Sequence, residues 1–468
     1  MTRTNGNGNI RSNGNGVVKL NGHASQVTEA WRALSLILPP RNPDYDWWWR
    51  LTGQHLAALV EAAGYSLEKQ YEALLFHYHW TVPYMGQAPL SEGRPIAWKS
   101  LLGLDGTPIE YSWKWNTAGK QPDVRYVTEP IGQAPGSEID PLNQQALKEL
   151  LHGLTAVMPT VDLSWVNHFM ATLYDHDNSK YVQEAAAGAS IGTSVQLAAE
   201  FMPKGVSLKT YFFPRKLGEN GPMTMDNWES AIGQLDPEND SRSALAHFLA
   251  TSSEGKLLTP FSVGVDNVAP EKSRLKWYFN TPRTTFASVR EVMTLGGRID
   301  APYTAKALDE LHDLIKAVVG LPADFPEDAE LSAAPHWDAS RRDKFGDMAP
   351  ALSGYRYGFD VAPGTALPEV KIFIPARYYA ADDLALARGI AGWMRARGRG
   401  AYCDRYMGML GRLAGHRRLD EGTGIQTYVA CLFTKGGELD VTTYLGAEAF
   451  HPARVTQPRR ATRRRGEW

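Results

Sequence analysis

The sequence predicts an α/β protein whose strands form a closed ten-stranded antiparallel barrel ringed by helices. Three observations predict it. After Pro108, two short runs of period-two residues joined by a Gly/Pro/Asn/Asp turn recur five times, and helical stretches separate the pairs. Closing ten antiparallel strands on themselves is also the arrangement that leaves no exposed sheet edge.

The elements follow in chain order. Residues 1–26 are Asn/Gly-rich without apolar periodicity and read as a flexible lead. From Asp44 to Ala63, Trp48, Leu51, His55, Leu56, Leu59 and Val60 recur at helical spacing, and Ser66 opens a second helix through Tyr71, Leu75 and Tyr78. The first strand pair is Ile109 to Trp115 with Val124 to Thr128, and the second is Ser194 to Phe201 with Val206 to Phe213. Thr259 to Val265 with Arg274 to Phe279 is the third, and Gly354 to Val361 with Val370 to Ile374 the fourth. Gly424 to Phe433 with Glu438 to Tyr444 closes the set. Helical runs at Leu142 to Val157, Met225 to Ala250, Ala301 to Val319 and Ala385 to Ala414 lie between them. From Arg454 onward six Arg and one Glu make a basic end, which reads as a solvated tail. The expected division is a lead over 1–26, one barrel domain over 27–452 and a disordered tail over 453–468.

Composition supports one large folded unit. The chain has 468 residues, 43 % apolar and 21 % charged, with 14 Trp, 20 Tyr and 15 Phe, enough to fill a large core. With 49 Lys+Arg against 51 Asp+Glu the net charge is −2, so no basic domain points to nucleic acid. Only two cysteines, Cys403 and Cys431, occur, which suits a reducing, cytoplasmic setting. No apolar run approaches the roughly 18 residues that span a bilayer, and the start of the chain lacks a signal-peptide core.

The chemistry lies in which residues share a strand face. Lys209 and Tyr211 oppose Leu208, Thr210 and Phe212, while Arg274, Lys276 and Tyr278 oppose Leu275, Trp277 and Phe279. Likewise Lys371 and Phe373 oppose Val370, Ile372 and Ile374, and Glu110 and Ser112 oppose Tyr111 and Trp113. If the apolar faces lie under the helices, the polar faces converge on the lumen. That would gather Arg125, Lys209, Arg274, Lys276 and Lys371, a cluster of like charge that an anionic ligand would offset. Tyr211, Tyr278, Tyr428 and Tyr444 would add aromatic faces among them.

Other patterns carry less. Gly188-Ala189-Ser190-Ile191-Gly192 matches a nucleophile elbow, but the strand that the elbow needs is replaced by Gln183, Glu184 and three alanines. Asp175 to Ser179 reads as a turn, since Lys180 and Ala186 stand where a calcium loop needs Gly and Glu. His77 and His79 alternate without a metal-binding pattern, Asp382-Asp383 lacks the further aspartates of a metal–diphosphate cluster, and Trp47-Trp48-Trp49 reads as packing.

Several pieces, taken in order, resemble the fungal aromatic prenyltransferases of the dimethylallyltryptophan synthase type, from about Asp46 to Pro452. They are Trp98-Lys99-Ser100-Leu101-Leu102 followed by Pro108-Ile109-Glu110-Tyr111-Ser112; Val124-Arg125-Tyr126 running into Glu129-Pro130-Ile131; Lys209-Thr210-Tyr211; Arg274-Leu275-Lys276-Trp277-Tyr278; Lys371-Ile372-Phe373-Ile374-Pro375; and Gln426-Thr427-Tyr428. The resemblance implies the ABBA barrel of five αββα repeats. It also implies transfer of a prenyl group, usually dimethylallyl, from its diphosphate to an aromatic carbon of an indole or other acceptor, without magnesium, calcium or any cofactor.

By the same resemblance, Arg125, Lys209, Arg274, Lys276 and Lys371 form the diphosphate clamp, and Tyr211, Tyr278, Tyr428 and Tyr444 shield the allylic cation beside it. Glu110 is the general base for the indole N–H, and Leu101, Leu102 and Gln196 lie against the acceptor. Two departures stand out. Phe373 occupies a position where many members have Tyr, and Phe261 to Ser273 lacks the arginine that holds the carboxylate of free tryptophan. Gln196 replaces a lysine thought to remove the final ring proton. The expected acceptor is therefore a neutral, larger aromatic such as a tryptophan-containing cyclic dipeptide, and the expected assembly a monomer or homodimer without nucleic acid or membrane. The alternative reading is a non-catalytic barrel that binds a prenyl diphosphate or similar anion, against which stands Glu110, since a carboxylate near diphosphate does not help a binder.

Overall fold

A computed structural model of the chain describes residues 27–90, 96–117, 120–187, 192–215, 223–334 and 353–455. Ten strands form one closed antiparallel barrel: β1 (Ile109–Lys114), β2 (Asp123–Thr128), β3 (Val195–Met202), β4 (Gly205–Phe212), β5 (Thr259–Asp266), β6 (Leu275–Asn280), β7 (Arg356–Val361), β8 (Glu369–Ile374), β9 (Gln426–Phe433) and β10 (Leu439–Gly446). Each strand pairs with its sequence neighbours, and β10 closes on β1 with Ser112 opposite Tyr444. The five expected pairs are the five hairpins.

Helices stand between the hairpins. Gln145–Val157, Ser164–Thr172 and Asn178–Ala186 separate the first two, and Met225–Gly233 and Asp240–Thr251 the next. Phe286–Met293 and Thr304–Val319 precede β7, and Asp383–Ala396 and Cys403–Leu413 precede β9. Thr304–Val319 shows why they pack there: Ala307, Leu308, Leu311, Leu314, Ile315 and Val318 form one buried stripe at 3.6-residue spacing. The outward strand faces meet such stripes, so Trp113, Phe212, Trp277, Phe359 and Ile372 are fully buried outside the lumen.

Several boundaries differ from the sequence reading, each for a local reason. The run expected over Met225 to Ala250 is two helices broken around Pro237, which cannot continue a helix interior. Ala385 to Ala414 is broken at Gly398, which takes φ 70°. A helix at Glu29–Ile37, capped by Thr28, precedes the expected first one. The Trp triad is packing, with buried Trp48 donating to the Gly86 carbonyl at 3.0 Å. Ala453, Arg454 and Val455, assigned to the tail, belong instead to the fold: Arg454 donates to the carbonyls of Leu413 (2.7 Å) and Glu448 (3.1 Å). No helix among the described residues is long and apolar enough to cross a membrane.

Candidate active site

Period two turns the barrel interior into tiers, because lumen-facing residues recur about every 6.6 Å along a strand. At one end lie Glu110, Gln196, Tyr211, Ser262, Tyr278, Arg356, Phe373 and Tyr428, all lining one cavity. Two residues further along the same strands come Ser112, Lys209, Gly264, Lys276, Gly358 and Lys371. A further step reaches a charged end with Glu200, Asp266, Arg274 and Asp360.

An aromatic belt separates cations from cavity. The rings of Tyr211 and Tyr278 are 6.0 Å apart, Tyr278 and Phe373 5.9 Å, and Phe373 and Tyr444 5.7 Å. Phe373, the departure from the family pattern, thus stands inside the belt. Burial pushes the Tyr211 hydroxyl up to about 12 and raises Tyr278 and Tyr444, so all three stay neutral donors near pH 7. Arg125 lies directly beneath, its Nη2 donating to the Tyr444 hydroxyl at 2.7 Å and its Nε to Ser112 at 2.7 Å.

Two glycines make room for the belt. A Cβ on Gly264 would come within 2.7 Å of the Tyr211 ring, and one on Gly358 within 2.9 Å of Tyr278. Gly358→Ala should therefore push Tyr278 into the cavity. The expected result is about a tenfold to hundredfold loss of kcat, in line with the cost of an angstrom of misplacement. On the activity that the sequence resemblance implies, more dimethylallyl alcohol should also form per prenylated product, measured by chromatography of both.

The charged end corrects one sequence inference. The five cations are not an uncompensated cluster, because three strands bring carboxylates to the same end. Lys209 lies 3.0 Å from Glu200 and 3.8 Å from Asp266; Arg274 is 2.9 Å from Asp266 and 3.1 Å from Asp360; Lys276 is 3.9 Å from Asp266. Against the pull of burial, Lys209 and Arg125 bring the Glu200 carboxyl down to about 2, so it stays charged. Among the described residues, Arg125 and Lys371 have no carboxylate oxygen within 4.0 Å. Burial, then Arg125, brings the Lys371 ammonium down to about 7, and burial with Lys209 does the same to Lys276.

At the cavity end Glu110 is 8 % exposed and accepts from the Thr427 hydroxyl at 2.6 Å. Burial raises its carboxyl, against the Thr427 hydrogen bond and the charges of Arg377, Arg356 and Arg125. Leu101 and Leu102 also line the cavity, and the reason is a buried hub. Glu129 accepts from Trp98 Nε1 at 2.6 Å and Thr193 Oγ1 at 2.5 Å, and Thr193 in turn accepts from the Leu101 N–H at 2.9 Å. The Trp98 to Leu102 motif therefore pins the loop that carries these two leucines.

The structure thus places Glu110, Leu101, Leu102, Gln196, Tyr211, Tyr278, Tyr428 and Tyr444 on one cavity wall, with Arg125, Lys209, Lys276 and Lys371 beneath the belt and Arg274, 44 % exposed, at the far rim. Val127, Phe213, Phe261 and Ser262 also line the cavity outside the predicted set, as do two charged residues, Arg356 and Arg377. Arg356 shares the lumen face of Gly358 and Asp360, a period-two signal present in the sequence. Arg377 follows Pro375 outside any strand and carries no such signal.

The weaker motifs are accounted for where they can be described. Asp177 caps a helix by accepting from the Ser179 N–H, buried His77 meets Thr52 at 2.7 Å, and Asp383 accepts from the N–H groups of Ile425 and Gln426. Ser190 and its neighbours 188–191 lie outside the described residues.

Comparison with known proteins agrees with this architecture. A family model described as tryptophan dimethylallyltransferase matches residues 44–409. The chain is 58 % identical to a prenyltransferase of Pestalotiopsis microspora, over 94 % of this chain and 98 % of that one. It is 48 % identical to xanthone prenyltransferase B of Emericella nidulans, over 94 % and 95 %. Among solved structures it resembles AnaPT from Neosartorya fischeri, with a TM-score of 0.71 at 22 % identity over 89 % and 98 % of the two chains. NotF in complex with brevianamide F and DMSPP gives the same TM-score at 20 % identity over 90 % and 99 %.

Proposed function

Because the chain belongs to the tryptophan dimethylallyltransferase family and is an enzyme that moves prenyl groups onto aromatic acceptors, we propose that the barrel lumen performs this transfer with its own cations in place of a metal ion. Arg125, Lys209, Arg274, Lys276 and Lys371 hold the diphosphate and stabilise the charge that develops on it as the allylic C–O bond breaks, an electrostatic role worth several kcal/mol in a dry site. Tyr211, Tyr278, Phe373, Tyr428 and Tyr444 face the allylic cation, attract it through their ring quadrupoles and keep water away. Glu110 accepts a proton from the acceptor, which Leu101, Leu102 and Gln196 hold in place.

The observation that carries this reading is the tiering itself: an aromatic belt with lysines and Arg125 on one side and on the other a cavity whose one carboxylate, among the described residues that line it, is Glu110. A barrel that only bound an anion would gain nothing from Glu110. The acceptor class is read from two sides. The relative named for xanthones favours an oxygenated polycyclic ring, whereas the neighbour bound to brevianamide F is an indole case of lower identity. The cavity is apolar and aromatic enough for either, and the protein acts as a monomer or homodimer with small molecules as its partners.

The test is turnover of dimethylallyl diphosphate in excess EDTA, read by mass spectrometry, with free tryptophan, a tryptophan-containing cyclic dipeptide and a dihydroxyxanthone as acceptors. Products heavier by one prenyl unit, at a rate unchanged by EDTA, are expected. Loss of turnover in EDTA with recovery on adding magnesium would overturn the metal-free clamp.

A further inference from the structure

Arg377 is an arginine that the catalytic reading leaves unused. Its residue exposure is 2 %, yet its Nε and Nη1 have no hydrogen-bond partner among the described residues. Only Nη2 is engaged, with the Tyr428 hydroxyl at 3.3 Å, and the guanidinium lies over the Tyr428 ring at 4.8 Å. A buried guanidinium with two idle donor nitrogens is costly unless something fills the space beside it. Arg377 stands between two cavities, lining the acceptor cavity on one side and a second one with Asp105 and Glu448 on the other.

Arg356 faces the acceptor cavity. It is held by Asn280 through Nε at 2.9 Å and stacks over Phe261 at 4.1 Å and Tyr428 at 5.6 Å. Two guanidinium groups therefore flank a slot walled by Phe213, Phe261 and Tyr428. The aromatic wall suits stacking of a planar fused ring. Of the charges acting on Glu110, Arg377 is foremost, and both residues line this cavity.

We propose that Arg377, assisted by Arg356, binds the acceptor as a phenolate, so that the enzyme's acceptors are aromatic rings bearing an ionisable hydroxyl. This rests on the transfer reading above and replaces the neutral acceptor expected from the sequence. The reaction balances as follows. The hydroxyl proton is left in solvent when the phenolate enters, and the allylic C–O bond breaks with its electron pair going to diphosphate. A ring carbon conjugated with the oxyanion supplies the pair for the new C–C bond, and the proton displaced from that carbon passes to Glu110. Gln196, an amide, cannot take it, and Glu110 is the carboxylate on this cavity. The charged and titratable groups around Arg377 are Glu110, Arg356, Tyr428 and Tyr444 on the lumen side, with Asp105, Glu448 and His451 around the cavity behind it.

The experiment uses 7-hydroxycoumarin, whose phenol and phenolate excite at different wavelengths, with the full chain saturated by the unreactive donor analogue dimethylallyl thiolodiphosphate. Binding is expected to lower the apparent pKa of the dye by about one unit, a tenfold change in its ionisation. Arg377→Met should abolish the shift while Arg377→Lys keeps most of it, and both should bind the donor analogue as the wild type does. In turnover, Arg377→Met should lose about 30-fold or more in kcat/KM for a dihydroxyxanthone and less than about threefold for a tryptophan-containing cyclic dipeptide, a loss in the range of one charge-assisted hydrogen bond. No phenolate signal with wild type, an unchanged shift in Arg377→Met, or equal losses with both acceptors would overturn the proposal. So would an Arg377→Met effect confined to the KM of free tryptophan, which would make the site a carboxylate clamp. Absence of prenyl transfer to every acceptor would instead count against the transfer reading, and the dye measurement would still decide the role of Arg377.

Discussion

Replacing Glu110 with Gln is expected to lower kcat by about two to four orders of magnitude, the range of a positioned general base. Gln preserves the volume and keeps a carbonyl oxygen for the Thr427 hydroxyl, which now stands 2.6 Å from Glu110 Oε1. The loss is therefore one of proton acceptance and not of packing. Donor affinity should stay within about threefold, since the lysines and Arg125 of the clamp lie on the other side of the aromatic belt. The pH profile adds a second check. A base acts when deprotonated, so the rate rises with pH through the Glu110 pKa, which burial raises from its ordinary value. That acid limb should be present in the wild type and absent in Glu110→Gln. A variant with full turnover would remove the base from the mechanism. One that loses donor binding along with turnover would show Glu110 to be structural.

The sequence carried the barrel and one half of its site for the same physical reason. Lys209 with Tyr211, and Lys276 with Tyr278, sit two apart on strands whose other face is apolar, and that alternation survives any uncertainty in register. It identifies a cation below a ring without knowing which strands are neighbours. The carboxylates needed that knowledge. Glu200, Asp266 and Asp360 lie on the strands paired with those of Arg125, Lys209 and Lys276, with Arg125 opposite Glu200, Lys209 opposite Asp266 and Lys276 opposite Asp360. Cross-strand pairs are set by register, and a strand read alone shows only a polar residue near its end. Arg356 is legible by period two, since it alternates with Gly358 and Asp360 on one strand face. Arg377 was not legible at all, because it reaches the cavity from the short helix Ala376–Tyr379 and not from a strand face. Leu101, Leu102 and Gln196 follow from family resemblance, and the Glu129 hub that positions the leucines depends on contacts between residues up to 92 apart.

The second large effect concerns Lys276 and Lys371, whose ammonium groups burial and neighbouring cations bring down to about 7 in the free protein. At pH 8 a lysine with that pKa is only about one-tenth charged. A diphosphate favours the charged form, so binding raises both pKa values and draws protons from solution. The sign follows: donor affinity strengthens as pH falls from 9 toward 7, by up to tenfold per unit for each lysine, and levels off below 7 where both are already charged. Calorimetry of dimethylallyl thiolodiphosphate at pH 8 in two buffers of different ionisation enthalpy should show net uptake approaching about 0.9 proton per lysine. Lys371→Met and Lys276→Met should each remove one such share and weaken binding by about 10- to 150-fold, the worth of a hydrogen bond to a charged group. Lys371 should show the larger loss. Lys276 has Asp266 at 3.9 Å to compensate it already, whereas Lys371 meets the Phe373 ring at 5.5 Å and, among the described residues, no carboxylate within 4.0 Å. An enthalpy independent of buffer would mean that both lysines are charged before the donor arrives. Attraction for diphosphate would then come from a permanently positive lumen, and its affinity would be flat from pH 7 to 9.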